Sequence, residues 1–334
     1  MAAIALRSPQ YKSATAGNGA NSAKLTISID GTIQYTLVKG TTAQATMLWE
    51  IAELCRDYIS ISFDGTYNAS SADTLTIIST LTSHASTDGT GAVIGSATTF
   101  TDKGYDAYGT FMEGSNPVVP FGSRPTWLVS PDPNGTTNNE YYIYVPNNTA
   151  GYVPYISSGE ALVYNSFGAT ATELTGTPAG TRMNIVRVDC TKYGDGHKVT
   201  FVNKFGALQD LWFFLKSVDT TTKKQEQFQR NIVTSTGGYS VNTHTKQDYN
   251  TVANTSVTLS SGYYPEWANQ WFEQLLLSEQ VWITRPKETD PTTDEVIPVN
   301  VRKNSMVKKT SLNDKLIDYT FDFDMSFDYI NNIR

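Results

Sequence analysis

The chain has 334 residues, 39% hydrophobic and 17% charged, below the roughly 45–50% and about 25% of ordinary soluble domains; the deficit is filled by Thr, Ser, Asn, Gly and Tyr, which favour strands and polar loops over helices. That length buries a core without a metal or disulfide staple, and a formal net charge of −7 with a pI near 5.0 opposes a nucleic-acid partner, because phosphates need a basic surface and no dense Lys/Arg stripe is present. Two cysteines, Cys55 and Cys190, exclude a disulfide framework and a CxxC zinc pattern, and both read as small buried apolar residues.

The opening "MAAIALRSPQY" has an apolar run too short for a signal-peptide core, with Arg7 after it instead of before. No run approaches the roughly 20 apolar residues of a membrane span, so the expectation is a chain made in a reducing cytoplasm and not inserted in a membrane. Residues 1–23 read as an extended N-terminal arm held by partners, since "SATAGNGANSAK" cannot bury much of itself.

Residues 24–195 read as an N-terminal β domain. "KLTISIDGTIQYTLV" (24–38) alternates around Asp30-Gly31, a two-residue hairpin signal. In "ATMLWEIAELCRDYI", Met47, Leu48, Ile51, Leu54, Cys55 and Tyr58 recur at helical spacing, which predicts an amphipathic helix over about 44–58 with Cys55 on its buried side. Strands follow in "DTLTIIST", "EYYIYVP" and "MNIVRVDC", around a loop-rich insertion at about 102–160.

Residues 196–334 read as a C-terminal β domain. "HKVTFVNKFGALQDLWFFLKS" predicts strand, Gly206 turn, strand, with Trp212, Phe213 and Phe214 suited to a strand buried on both faces. Further strands fall at about 227–235 and 251–260. Pro265 opens a second amphipathic helix over about 265–277, whose apolar side holds Trp267, Trp271, Phe272, Leu275 and Leu276. The strand "QVWIT", the polar loop "RPKETDPTTDE" and "VIPVNVRK" lead to the closing stretch. The fold class is therefore mainly β, two antiparallel β-sandwich-like domains with one helix each.

Local chemistry is sparse. His84, His197 and His244 lie in polar text with no i, i+4 helical pair of the zinc-hydrolase kind. There is no nucleophile elbow or P-loop. "DPNGTTNNE" (132–140) fails as a calcium loop because Gly135 stands at the fourth position, not the sixth. Trp267 and Trp271 fit a core better than a sugar platform, and the sequons at Asn68, Asn134, Asn147 and Asn254 matter only in a secretory pathway. No catalytic residue, metal site or cofactor is expected.

The closing "DYTFDFDMSFDY" (318–329) separates Tyr319, Phe321, Phe323, Met325, Phe327 and Tyr329 from Asp318, Asp322, Asp324 and Asp328. Residues along one strand face stand roughly 6.5–7 Å apart, too far for one strand to cage an ion whose ligands lie about 2.3–2.6 Å from it. The acidic row calls for water or for cations such as Arg302, Lys303, Lys308 and Lys309. As one strand, "KLIDYTFDFDMSFDY" would span about 50 Å, so it must bend, change sheets or project into a neighbour. The expectation drawn is that the row of six aromatic and Met side chains is partly an intersubunit surface.

Together "ALRSPQY", "WEIAELCRDYISI", "FVNKFGALQDLWFF", "LSSGYYPEWANQWFEQLLLSEQVWI" and "LIDYTFDFDMSFDYINNI", about a third of the chain, resemble tail and baseplate structural proteins of tailed bacteriophages, above all those of marine and aquatic bacteria. Residues 62–195 share no such likeness. The resemblance implies a β-rich, non-enzymatic virion building block, assembled in the host bacterial cytoplasm and present in several copies around a tail axis. Its partners would be copies of itself and other virion tail proteins. The other reading is a receptor- or glycan-binding module acting through the 102–160 loops, which carry Trp127.

Overall fold

The structure is a computed structural model that describes residues 1–68, 73–119, 127–131, 140–157, 160–174, 182–189, 196–287, 289–302, 305–308 and 315–329. It is mainly β. The first part contains β1 (Ala2–Ala5), β2 (Tyr11–Thr15), β3 (Ser22–Ile29), β4 (Thr32–Gly40), β5 (Thr46–Glu50), the short helix α1 (Ala52–Arg56), β6 (Thr74–His84) and β7 (Thr98–Tyr105). The middle holds β8 (Glu140–Pro146), β9 (Gly151–Ile156), β10 (Leu162–Phe167), β11 (Glu173–Leu174) and β12 (Arg182–Val188). The remainder holds β13 (His197–Val202), β14 (Leu208–Phe213), β15 (Ser217–Gln229), β16 (Lys246–Ser260), β17 (Tyr264–Pro265), α2 (Asn269–Leu277), β18 (Val281–Lys287), β19 (Asp290–Val301), β20 (Leu316–Ile317) and β21 (Thr320–Met325).

The Asp30-Gly31 hairpin forms as its sequence predicts, both residues taking positive φ (47° and 86°) between β3 and β4, the conformation of the turn that matches strand twist. It belongs to a five-stranded sheet ordered β1-β7-β6-β3-β4. The expected helix over 44–58 is instead strand β5 followed by five helical residues. Met47 and Trp49 are buried while Thr46 and Leu48 face water, a period of two that pairs β5 with β2. Helical spacing begins only at Ile51, and Cys55 lies fully buried as expected.

The N-terminal segment is not an arm. β1 runs parallel beside β7, Ala3 to Leu6 are buried, and Lys12 reaches the buried Asp102 at 2.5 Å. The apolar "AAIAL" thus completes its own sheet. A second parallel pair, β8 with β12, is a further exception to the antiparallel pairing that the sequence suggests.

Two sandwich-like domains are expected from the sequence, whereas the described strands form six sheets, the largest of seven strands ordered β14-β13-β18-β19-β21-β16-β15. This sheet curls until its ends meet. Phe213 on β14 and Phe323 on β21 stand four strands apart, about 19 Å in a flat sheet, yet their rings lie 6.0 Å apart. Phe214 N–H donates to Ser261 O and Leu215 N–H to Ser260 O, so the chain leaving β14 crosses to β16 and continues along it as β15. The result is a barrel filled by Val199, Phe201, Leu211, Phe213, Val257, Leu259, Ile283, Val299, Phe321 and Phe323. Helix α2 closes one end: Phe272 stacks on Phe321 at 6.0 Å and meets Phe213 edge-on at 6.3 Å. Each buried Phe contributes about 1.5–3 kcal/mol.

The sequence places a domain line near 195, but the core crosses it. Trp127, Val129, Tyr141, Val145, Val153, Phe167, Met183 and Ile185 belong to the same apolar cluster as the barrel and α2. The first sheet is tied on by a separate contact. Arg7 forks onto Asp106 at 2.5 and 2.9 Å and reaches Glu279 at 3.1 Å. Gly206, at φ +74°, turns β13 into β14 where a Cβ would meet the Asp106 backbone at 2.8 Å. Among the described residues no helix is long and apolar enough to cross a membrane.

Candidate functional site

The closing stretch breaks where the sequence suggests one strand. Leu316 and Ile317 pair with β17, and β21 starts at Thr320 in the barrel, so the segment changes sheets at Asp318 and Tyr319. Tyr319, Phe321, Phe323 and Met325 are buried in their own chain by α2, β14 and β16, which corrects the expectation that they meet a neighbour. Period-two alternation marks a dry face without saying which chain dries it. Phe327 and Tyr329, past the end of β21, remain 52% and 71% exposed. On the wet side, Arg302 binds Asp324 with Nη2–Oδ1 2.6 Å and Nε–Oδ2 3.0 Å, and Thr258 donates to Asp322 at 2.6 Å. Lys308 pairs with Glu273 instead; Lys303 and Lys309 lie outside the described residues.

β21 ends at Met325, but β16 and β19 on either side run on beyond it. Two hairpins, β15/β16 and β18/β19, therefore rise past the end of the barrel opposite α2. Between them lies an open cavity of about 780 Å³ whose walls include Asp219, Arg285, Glu295, Met325, Phe327 and Tyr329. Arg285 bridges its walls, Nε to Glu295 at 3.0 Å and Nη1 to Asp219 at 3.7 Å. His197 sits at the start of β13 beside this trio. Burial pushes its imidazole below the usual value, Asp219 opposes and Arg285 adds to the effect. In sequence these residues read as ordinary polar members of alternating strands, and no spacing brings them together.

The β15/β16 hairpin is the largest feature that the sequence shows only in part: the strand expected at 251–260 lies within β16 (Lys246–Ser260), whereas the one expected at 227–235 overlaps only the end of β15 (Ser217–Gln229). β15 is exposed along every residue after Ser217, on both faces. It is also the last strand of its sheet, so among the described residues nothing pairs with its outer edge. Past Thr255, β16 loses β21, Tyr329 N–H still donates to Ala253 O at 2.9 Å, and beyond that point the two strands continue as a two-stranded ribbon to a tip at 230–245. The ribbon carries apolar groups into water: Phe228 and Tyr249 pair their rings at 5.7 Å, and Val233, Tyr239 and Val241 are exposed at the tip. The available signal was the polar run "SVDTTTKKQEQFQ", whose lack of alternation means that neither face meets a core.

A second exposed apolar point lies in the 102–160 region. Phe111 and Met112 are 98% and 90% exposed on a single 3-10 turn. The turn is braced, Glu113 accepting from Thr110 N–H at 2.6 Å and from Lys204 Nζ at 2.8 Å. Trp127, the aromatic singled out in that region, is buried.

Other candidates resolve into structure. Trp271 is core and meets Trp267 edge-on at 4.8 Å. His84 is buried, with its ring nitrogens against Thr82 Oγ1 and Gly91 O; His244 is exposed in the hairpin. Residues 132–139 of "DPNGTTNNE" and Cys190 lie outside the described residues. Among the described residues no group of three or more His, Cys, Asp or Glu is placed to hold a metal ion. No protein-family model matches this chain, and neither does any curated protein or solved structure.

Proposed function

We propose that the chain is a non-enzymatic structural building block of a bacteriophage tail, a baseplate or tail-tip component that joins neighbouring parts or carries receptor-binding ones. The observation that carries this reading is the exposed ribbon. β15 is exposed along every residue after Ser217, and Phe228, Val233, Tyr239, Val241 and Tyr249 stand in water on the ribbon and its tip. A two-stranded ribbon alone is marginal in water, and exposed apolar groups gathered on one projecting element mark a surface that a partner covers. The tail-protein resemblance of the segments in β14, α2 and β21 points the same way. The test is location: antibodies against the chain should decorate one end of intact tailed particles produced by the phage that encodes it. Labelling of infected-cell lysate with none on purified particles would overturn the reading.

A second reading is host recognition through the 102–160 region, favoured by Phe111 and Met112 standing in water on a braced turn. A Phe111→Ser/Met112→Ser variant that assembles normally but no longer adsorbs to host cells would support it. Unchanged adsorption would dismiss it.

A further inference from the structure

The distal ribbon, residues 220–252, differs in charge from the body that carries it. It holds Lys223, Lys224, Arg230 and Lys246 against Glu226 and Asp248, a net of +2, on a chain whose formal net charge is −7. The remainder therefore carries −9. The ribbon reaches about 30 Å beyond the barrel at about 3.3 Å per residue, the width of a small domain. Its tip presents Tyr239, Val241 and Val233 to water, with Phe228 and Tyr249 behind them. A ribbon that combines exposed apolar groups with a net positive charge suits an apolar patch on an acidic surface, and the acidic surface at hand is the body of the same protein.

Two ribbons do not suit each other. Antiparallel pairing of two β15 edges about Lys223 and Lys224 would set lysines against lysines, which is unfavourable. The register also breaks between Lys224 and Glu226, and Asn250 takes φ +50°; such irregularities twist an edge away from straight pairing. Within the ribbon, Asp248 accepts from Gln227 at 2.8 Å and from Lys223 at 3.2 Å. Among the described residues, Lys224, Arg230 and Lys246 are the exposed cations of the ribbon outside that pairing.

We infer that the ribbon 220–252 docks on the acidic body of a second copy of this chain, a head-to-tail contact of arm on body. A contact of that kind joins copies into a ring or an open array, not a closed two-fold dimer. The inference rests on the building-block reading and names its partner.

Sedimentation velocity of the full chain tests it. The wild type should form species larger than a monomer that dissociate as salt rises and the screening length falls from about 10 Å at 0.1 M to about 3 Å at 1 M. The exposed variants Lys224→Glu/Arg230→Glu/Lys246→Glu and Tyr239→Ser/Val241→Ser should each weaken self-association at least about tenfold while keeping the wild-type circular dichroism and melting temperature. A photo-crosslinking residue placed at position 239 should capture body peptides of a second copy. A wild type that stays monomeric at about 100 µM, far above the micromolar range of specific contacts, would overturn the inference, as would variants that assemble unchanged, arm-to-arm cross-links, or capture of a different virion protein alone. The two readings fail separately: particle labelling without self-association removes this inference only, and self-association without particle labelling removes the tail assignment only.

Discussion

Two side chains report on the environments the fold builds. Cys55 lies on the inner side of α1 under the first sheet, and burial pushes its thiol up to about 12. Because thiolate is the reactive form, the native thiol should ignore a thiol reagent at pH 8 and react only on unfolding. In a Cys190→Ser background the labelling rate should follow the unfolding equilibrium across a urea titration; rapid labelling of the folded protein would refute the placement of α1. His197 acts in the opposite direction. Its folded value lies below the unfolded one, so the unfolded chain binds more protons as pH falls through about 6.5. The neutral imidazole is therefore at no disadvantage in the fold above that point, and stability declines with acidification down to the lowered folded value. His197→Gln should flatten the decline in melting temperature between pH 7 and 5. An identical decline in the variant would show that other groups carry it.

At the level of elements, the closing stretch separates packing from surface in one strand. Phe323 is fully buried against Phe213 and Phe321, so Phe323→Ala should cost about 3–5 kcal/mol in urea unfolding. Phe327→Ser, two residues past the end of the core, should fall within about 0.5 kcal/mol. Equal costs would mean that the barrel does not close as described. This contrast also shows what the sequence made legible. Hairpins set by turn chemistry, such as Asp30-Gly31, and strands set by aromatic runs, such as "LQDLWF", could be read because their cause lies within a few residues. The apolar face from Tyr319 to Met325 could be read too, but not its cover, since α2 and β14 arrive from more than 40 residues away. Residues 44–50 misled because Met47, Leu48 and Ile51 fit a helix as well as a strand, and only pairing with β2 decides. The Arg285, Glu295 and Asp219 trio was out of reach, because it forms only when the sheet curls. For the ribbon the sequence yields only strands at about 227–235 and 251–260, because a strand with no core on either side has no alternation to fix its bounds.

The whole molecule combines a closed body with a projecting arm, and the two parts should differ in their resistance to attack. The barrel is built jointly from β13 to β15 before the arm's tip and from β16 to β21 after it, with Phe213 and Phe321 in contact across that division. Cutting the tip therefore breaks the chain without removing any of the packing that holds it. Trypsin should act first at Arg230 and Lys246, which flank the exposed tip at 230–245, because cleavage follows local exposure and opening. The two fragments should remain together on gel filtration and melt close to the intact protein, since the strands on either side share one core. In assembled particles the same bonds should be cut at least about tenfold more slowly if the tip is covered at a contact, where local opening is suppressed. Early cleavage within β13 or β14, or separation of the fragments after the first cut, would show that the arm is not an appendage of the barrel. Equal cleavage rates in particle and free chain would show that the arm stays in solvent after assembly and does not hold the copies together.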